Sequence, residues 1–349
     1  MKILIPTLKD KNPFFDEITH CSIHDYYYDE NAVDISDYDL VLIHWPEQLF
    51  NWKEPTINQL LDLKQKLAYW KQKIKIVYMV HNLQPHEGGS VMFTKLYNLI
   101  ISNCDAMIHL GEFSKKKFEK IYPKRRHIVI SHSLYKCSYK IEDKFEARKR
   151  LGFRKDSFIV IAPGRVRNLE ERKLIIKSFK KLKVKHKQLI VPRMLWKKSD
   201  IEFKGRWRLR KIIDVKDLIE RLYNFNWNRR CYFNYGFLEH SKLSELVSAA
   251  DVVFIPRFNS LNSGVLFLGL TFGKVIVGPR TGNLTEILDK YECYSFNPNN
   301  LNAVIEALNS AAKDCVFSTK KLDSLLLDEL EPINLAKKMD NFFMSLGLN

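Results

Sequence analysis

Short runs of β-branched and apolar residues alternate with segments of helical period along the amino-terminal half of the chain. Apolar residues three or four positions apart predict helices over residues 56–72 and 89–103. The short apolar runs predict strands over residues 2–5, 40–43, 74–80, 106–110 and 127–131. Because strands that alternate with helices usually pair in parallel, this half is predicted to form an α/β sheet with helices on both faces.

The same alternation resumes after a charged segment and fills the carboxy-terminal half. Strands are predicted over residues 157–162, 188–191, 231–235, 252–255 and 275–277, and helices over residues 171–182, 242–249 and 264–271. The charged junction at residues 148–156 separates the two series. We therefore predict one domain over residues 1–152 and a second over residues 153–330.

The composition agrees with two domains and indicates a compartment. A chain of 349 residues is long enough for two cores, and it contains no apolar run of the roughly 18 residues that a membrane span needs. The beginning, MKILIPT, is interpreted as a first strand and not as a signal peptide. Six scattered cysteines indicate reduced thiols without a zinc site, so we expect a cytoplasmic protein.

The chain is strongly basic, with a formal net charge of +17 and basic runs at residues 115–127, 148–155, 177–187 and 197–211. Aromatic residues among these lysines and arginines suit an anionic membrane surface, where each basic residue adds about 1 kcal/mol. Nucleic acid is the other polyanion to consider, but the chain has no zinc finger, RNP-like motif or recognisable helix-turn-helix. We expect peripheral contact with the inner face of the plasma membrane and no nucleic-acid partner.

Polar and aromatic residues follow several predicted strands of the amino-terminal half, at the sheet edge where parallel α/β folds bind ligands. Aromatic faces and hydrogen-bonding side chains suit hydroxyl-rich ligands such as sugars. The candidate sugar-binding residues are Asn12, His44, Trp45, Glu47, His81, His86 and Glu87. Metal binding by His81, His86 and Glu87 is a competing interpretation, but their Pro-containing loop lacks the helical spacing of a zinc-protease motif.

Glycine and arginine residues in the carboxy-terminal half form a candidate phosphate site. Gly164 precedes a predicted helix, with Arg165 and Arg167 beside it, and guanidinium groups match phosphate oxygens. A second helix start, whose amino terminus favours anions and whose glycine permits close backbone approach, is formed by Asn262, Ser263 and Gly264.

The other candidate cations are Arg257 and Lys274. No Asp-x-Asp motif lies convincingly on a loop, because Asp37-Tyr38-Asp39 precedes a predicted strand. Charge on a leaving diphosphate is therefore assigned to a helix dipole and to cationic side chains. We expect neither a metal nor another cofactor.

The segment from Ala250 to Leu288 resembles a known family. Its features, in order, are Ala-Asp before a strand that ends in proline, a Ser-Gly helix start, Phe-Gly-Lys, a Val-Ile-Val strand and Gly-Asn-Leu-Thr-Glu. With HWPE at residues 44–47 and VHNLQPHE at residues 80–87, this segment resembles GT-B glycosyltransferases, and most closely the family-4-like bacterial enzymes of polysaccharide assembly.

The resemblance implies the GT-B architecture, in which two Rossmann-like parallel-sheet domains face a central cleft. It implies that the amino-terminal domain binds the acceptor and that the carboxy-terminal domain binds a nucleotide sugar, with Phe237 along the base. It also implies that the final segment, residues 331–349, is a helix that crosses back to the amino-terminal domain.

Two departures from the family pattern affect the donor site. The lysine that follows the glycine and arginine of the first loop is replaced here by Glu170 or Glu171. The family's two glutamates, separated by seven residues, fall on Ser260 and Leu268, so both are missing. Glu286 is then a candidate contact for the ribose or donor sugar, and the alternative is a helix-start carboxylate favoured by the dipole.

The resulting hypothesis is a hexosyltransferase that uses a nucleoside-diphosphate sugar and a lipid-linked or growing glycan in bacterial surface-polysaccharide synthesis. Arg167 would neutralise the diphosphate. An inverting reaction would use His81 or Glu87 as base, whereas in a retaining reaction the leaving phosphate would take the proton. Two alternatives stay open, namely a sugar-nucleotide epimerase of the same fold and a non-catalytic polyanion-binding protein.

Overall fold

The computed structural model describes residues 1–9, 12–83, 90–195, 231–317 and 327–347. The candidate residues His86 and Glu87 and the basic run at residues 197–211 lie outside these ranges. Within them the chain forms two six-stranded sheets in which every recorded strand pairing is parallel. The prediction of two parallel α/β sheets is confirmed.

The first sheet, with its helices, is called the amino-terminal unit. Its strands are β1 (Lys2–Ile5), β2 (Asp25–Tyr28), β3 (Leu40–Ile43), β4 (Lys75–Val80), β5 (Ala106–His109) and β6 (Arg126–Val129). Their order is β2-β1-β3-β4-β5-β6. All four residues of β3 are buried, as expected for a central parallel strand covered on both faces.

The second sheet, with its helices, is called the carboxy-terminal unit. Its strands are β7 (Phe158–Ile161), β8 (Lys187–Val191), β9 (Cys231–Phe233), β10 (Val252–Phe254), β11 (Val275–Pro279) and β12 (Tyr294–Phe296). Their order is β12-β11-β10-β7-β8-β9. The sequence resumes at β7 in the middle of the new sheet, so the chain passes between the units in the segment from Val129 to Phe158.

Helices connect most consecutive strands. In the amino-terminal unit they are α1 (Phe14–Thr19), α2 (Ile57–Lys73), α3 (Val91–Asn103) and α4 (Glu112–Ile121), with a 3₁₀ helix at Pro46–Phe50. The later helices are α5 (Lys144–Arg150), α6 (Leu169–Lys181), α7 (His240–Ala249), α8 (Gly264–Thr271), α9 (Leu284–Lys290), α10 (Leu301–Phe317) and α11 (Pro332–Ser345). None of these described helices has the length and apolar character needed to cross a membrane.

Local sequence explains where α2 begins and which face it buries. Thr56 and Gln59 form a capping box, since each side chain accepts a hydrogen bond from the other's backbone N–H, at 3.3 and 2.8 Å. The apolar side chains then recur at helical spacing and are buried; they are Leu60, Leu63, Leu67 and Trp70.

Helices cover both faces of the first sheet. Leu4 of β1 belongs to an apolar cluster with Leu67 of α2 and Ile100 of α3. Its neighbours in β1, Ile3 and Ile5, belong to the opposite cluster, which also contains residues of α1 and α11. Successive side chains of a strand point to opposite faces, so β1 divides its apolar residues between these two clusters.

The terminal helix α11 packs against the amino-terminal unit. Asp340 of α11 accepts hydrogen bonds from Ser22 Oγ at 2.5 Å and from the Ile23 backbone N–H at 3.1 Å. The Arg126 guanidinium of β6 donates to Ser345 at the end of the same helix. These contacts, together with the shared apolar cluster, join α11 to the first sheet.

Candidate functional site

A cleft of about 540 Å³ lies between the two units, and its walls are loops that follow the strands of both sheets. This position is the expected one, because ligands of parallel α/β sheets bind beyond the carboxyl ends of the strands. Most of the predicted site residues line it, namely Asn12, Trp45, His81, Gly164, Arg165, Arg167, Phe237, Asn262, Ser263 and Gly264.

Four arginines line the wall formed by the carboxy-terminal unit, and they are Arg165, Arg167, Arg193 and Arg257. Partial burial, followed by the charges of Arg257 and Arg165, lowers the pKa of Arg167 to about 10. Burial and the charge of Arg165 also lower the pKa of Arg193. Both remain cations at neutral pH, and the repulsion that each experiences from Arg165 and Arg257 favours an anionic ligand at this wall.

Glu171 lies in the region where the resembled family has a lysine. Its carboxylate contacts two of the cleft arginines, Arg257 and Arg167. It is buried, forms an ion pair with Arg257 at 2.5 Å and accepts the Arg167 backbone N–H at 2.7 Å. Arg257 also donates to the Arg165 carbonyl at 2.8 Å. The carboxylate therefore fixes the loop that carries the arginines.

The residues that line the described cleft include no aspartate or glutamate. Glu171, which touches Arg257 and the Arg167 backbone, is not one of the lining residues. A wall with several guanidinium groups and no lining carboxylate attracts anions more strongly than a mixed wall would. This charge pattern suits a diphosphate.

The amino terminus of α8 opens into this cleft at Gly264. Ser263 precedes it without a side-chain cap, and its carbonyl accepts the Leu266 N–H at 3.1 Å, so the N–H groups of Gly264 and Val265 have no partner from that residue. A Cβ atom on Gly264 would lie 2.6 Å from Tyr135 Oη and 3.4 Å from His132 Nε2. Glycine is therefore needed here for the amino-terminal unit to approach the helix.

Three buried histidines of the amino-terminal unit pack around Phe14 and Trp45. The His81 ring stacks on Trp45 with centroids 4.2 Å apart, and it meets the His44 ring edge-on at 4.3 Å. The third histidine, His132, lies 3.8 Å from Phe14. The aromatic rings and imidazoles form one packed floor beneath the cleft.

These three imidazoles are neutral at physiological pH. Burial lowers the pKa of His44 and of His132 to about 3, and it lowers the pKa of His81 well below the ordinary value. Among the described residues, His81 Nε2 has no hydrogen-bond partner. A neutral imidazole with an available nitrogen can accept a proton, although the low pKa makes it a weak base.

Several solved structures resemble this chain over most of its length. HepE from Anabaena, in complex with UDP-glucose, has a TM-score of 0.68 at 14% identity, covering 99% of this chain and 100% of that chain. A glycosyltransferase from Rickettsia africae has a TM-score of 0.65 at 12% identity, covering 99% and 98%. Sucrose-phosphate synthase from Thermosynechococcus elongatus has a TM-score of 0.63 at 15% identity, covering 89% and 74%.

The chain has the GT-B fold. At these identities the likeness establishes the architecture, and function has to be argued from the site. No protein-family model matches the sequence, and no curated protein sequence matches it. The two GT-B units and the cleft between them are thus known from structure, not from sequence relatives.

Two candidate acceptor residues do not line the GT-B cleft. Glu47 is only 2% exposed and accepts a hydrogen bond from the Tyr97 hydroxyl at 2.8 Å, because the 3₁₀ helix turns its side chain inward toward α3. His44 lies behind the floor, between Phe14 and His81. The position after a strand end indicated proximity to the cleft but did not determine which way each side chain points.

Glu286 also lies outside the cleft lining and contacts the amino-terminal unit. Its carboxylate accepts the backbone N–H groups of Glu112 at 2.6 Å and Phe113 at 3.2 Å, in the first turn of α4. Burial raises its pKa. Glu286 is therefore a carboxylate at a helix start, which was the alternative interpretation of this residue. The helix that it contacts is α4 of the amino-terminal unit and not its own helix α9.

Two asparagines, Asn283 and Asn262, form further hydrogen bonds between the two units. Asn283 accepts the Ser114 N–H at 2.9 Å, and its amide donates to Asn262 Oδ1 at 2.7 Å. The Asn262 amide in turn donates to the His81 carbonyl at 2.8 Å. Asn262, predicted to bind the donor, lines the cleft and also connects its two walls.

The remaining candidate cation, Lys274, lies away from the cleft. Its ammonium donates to the Ser248 carbonyl at 2.7 Å, and burial lowers its pKa to about 8. No cluster of three or more histidine, cysteine, aspartate or glutamate residues suited to a metal ion occurs within the described ranges.

Several cleft residues were not identified from sequence; they are Tyr135, Tyr139, Arg193 and His240. Arg193 follows strand β8 and carried the same strand-end signal as the residues that were chosen. Tyr135 and Tyr139 lie in the connection between the units, which has no periodic pattern. These two tyrosines line the cleft only because that connection runs beside it in the folded chain.

Proposed function

We propose that this protein is a glycosyltransferase that uses a nucleoside-diphosphate sugar as donor. The observation that carries the proposal is that four arginines and the amino terminus of α8, which lacks a side-chain cap, line the same wall of the GT-B cleft. Both features bind phosphate oxygens, and neither requires a metal. HepE with bound UDP-glucose, which has the same fold, supports the choice of donor class.

The cleft residues suggest how the donor is held. Phe237 is 58% exposed, and the Arg193 guanidinium lies 5.8 Å from its ring centroid. This platform suits the nucleotide base. Arg165 and Arg167 then face the diphosphate, and the sugar extends toward the floor that contains Trp45 and His81.

Catalysis requires stabilisation of the charge that develops when the bond between the anomeric carbon and the outer phosphate breaks. The electron pair of that bond stays on the phosphate oxygen, next to Arg167 and the N–H groups of α8. Groups placed in advance at such an oxygen typically contribute 10²- to 10³-fold to the rate. His81 Nε2 is our candidate to accept the acceptor's hydroxyl proton if the reaction inverts.

The resemblance to family-4-like enzymes supports a hexosyl donor and a lipid-linked or growing glycan acceptor in bacterial surface-polysaccharide synthesis. A sugar-nucleotide epimerase fits less well, because the cleft lining lacks the carboxylates that we associate with that reaction. The experiment is to incubate the purified protein with bacterial membrane lipids and a labelled nucleotide hexose, with each common nucleotide base tested in turn. We expect label transfer with release of one nucleoside diphosphate, and no release with any donor would contradict the proposal.

Peripheral membrane contact is a further part of this proposal. Helix α4 exposes Phe113 and Ile121, at 46% and 58%, near the exposed Lys116 and Lys117. Charge reversal at both lysines is expected to reduce sedimentation with phosphatidylserine vesicles at low salt. Reversal of Lys173 and Lys177, which are exposed on α6, is the matched control, and equal loss in both variants would contradict a role for α4.

A further inference from the structure

Tyr135 lies along α8 and reaches from its last residue to its first. The Tyr135 backbone N–H donates to Thr271 Oγ1 at 2.9 Å, while its hydroxyl lies beside Gly264. Residues 264 and 271 are two helical turns apart and therefore share a face of α8. Tyr135, which belongs to the connection between the units, thus contacts both the first and the last residue of α8.

The Tyr135 side chain is buried as a whole, and its hydroxyl has no protein partner among the described residues. The residue is 6% exposed, and within the part of the chain that the structure describes its hydroxyl forms no hydrogen bond, although the residue lines the cleft. A buried tyrosine normally finds a hydrogen-bond partner for its hydroxyl. Here the hydroxyl stands next to the uncapped N–H groups at the start of α8, which also need an acceptor.

The hydroxyl can donate a hydrogen bond and the Gly264 and Val265 N–H groups require an acceptor, so one oxygen acceptor suits both, and the helix amino terminus favours a negatively charged one. Resting on the proposed function above, we propose that Tyr135 Oη and the first N–H groups of α8 bind the same oxygen of the donor's outer phosphate. Tyr135 then contacts the leaving group directly, and it brings the connection between the units into the donor site.

The surroundings of Tyr135 favour this role. Its ring meets the Tyr139 ring edge-on at 5.4 Å, and Tyr139 packs on His240 at 5.0 Å, so the hydroxyl is held in position before the ligand arrives. Burial raises the pKa of Tyr135 well above its ordinary value. The group therefore keeps its proton and acts as a hydrogen-bond donor, not as a base.

The test compares binding of a nucleoside diphosphate with binding of the corresponding monophosphate, using the base that the wild-type protein prefers. A monophosphate lacks the outer phosphate and therefore lacks the proposed contact. Tyr135→Phe should weaken diphosphate binding by about 10- to 100-fold, the usual effect of losing a hydrogen bond to a charged group. Its affinity for the monophosphate should stay within about twofold of the wild-type value.

Tyr78→Phe is the matched control, since Tyr78 is a buried tyrosine of β4 that does not line the cleft. It should leave both affinities unchanged. If Tyr135→Phe lowers both affinities equally, or lowers neither, the assignment of Tyr135 is wrong. If wild-type protein binds no nucleoside diphosphate at all, the failure lies in the proposed function, so the two results are distinguishable.

Discussion

Glu171 illustrates how one residue can depart from a family pattern and still serve the site. A glutamate in place of the expected lysine removes a cation from the loop, yet its carboxylate forms a buried ion pair with Arg257 and accepts the Arg167 N–H. The replacement therefore changes what organises the arginine cluster. The sequence showed the substitution, but only the fold shows that Arg257 lies within reach.

Glu171→Gln should destabilise the protein by about 3 kcal/mol, because removing one partner leaves the Arg257 charge buried and unpaired. Chemical denaturation measures the change. Glu170→Gln is the matched control, since Glu170 is the adjacent carboxylate on α6 and is exposed. Equal stability of the two variants would show that the ion pair contributes nothing to folding.

Buried histidines should make the protein less stable in mild acid. Burial lowers the pKa of His44, His109 and His132 to about 3. It also lowers the pKa of His81 well below its ordinary value. Below about pH 6.5 the unfolded chain binds protons that the folded chain does not, so stability decreases as pH falls, by up to about 1.4 kcal/mol per pH unit for each histidine.

The measurement is the free energy of unfolding between about pH 7 and pH 5. His44→Phe should make the loss of stability with falling pH shallower by up to about 1.4 kcal/mol per pH unit, which is the contribution of one histidine. The matched control is His186→Gln, at an exposed position just before β8. A wild-type slope near zero over this range would mean that the imidazoles are solvated or paired in the folded protein.

At the scale of elements, the periodic pattern identified those strands that are buried on both faces. The strand predicted at residues 40–43 is β3, and the predicted helix start at residue 264 is the start of α8. Two edge strands were not predicted. In β2, Asp25 and Tyr27 are exposed and its other two residues are only partly buried, and β12 has three residues, so neither carries the apolar run of a central strand.

Element ends also decided which candidate residues reached the cleft. The predicted donor-side residues around Gly164 and Gly264 line the cleft, because a glycine before a helix constrains the backbone and not a side-chain direction, whereas Glu286 does not line it. Glu47 follows its strand just as His81 does, but the 3₁₀ helix turns it into the core. Tyr135 depends on a crossing between units that no local pattern describes.

Gly111 should be essential for the contact between α4 and α9. A Cβ atom there would lie 2.2 Å from Glu286 Oε1 and 2.6 Å from Asn283 Cγ, so Gly111→Ala must push the junction apart. We expect a lower melting temperature and a larger radius of gyration in solution scattering. Gly236→Ala is the control, because a Cβ there meets nothing within 4 Å, and identical behaviour of the two variants would contradict a tight junction.

At the scale of the whole molecule, the described residues form two parallel-sheet units that face a cationic cleft, and residues of both line it. The arginines and α8 belong to one unit, whereas His81, His132 and Tyr135 approach from the other side. Sequence reasoning predicted the α/β units because alternation along the chain is a local property. The side-chain directions, the junction at Glu286 and the position of Tyr135 are tertiary properties that emerge only when the units meet.

The most direct test of the account is a thermal-shift panel of UDP, GDP, CDP, ADP and dTDP without magnesium, on the wild type and on Arg167→Ala. A ligand that binds only the folded state raises its stability by mass action, by about 2.7 kcal/mol at one hundred times the dissociation constant. We expect one diphosphate to raise the melting temperature of the wild type, and Arg167→Ala to lose most of that shift while melting normally without ligand. No shift with any diphosphate would contradict the donor site on which the account rests.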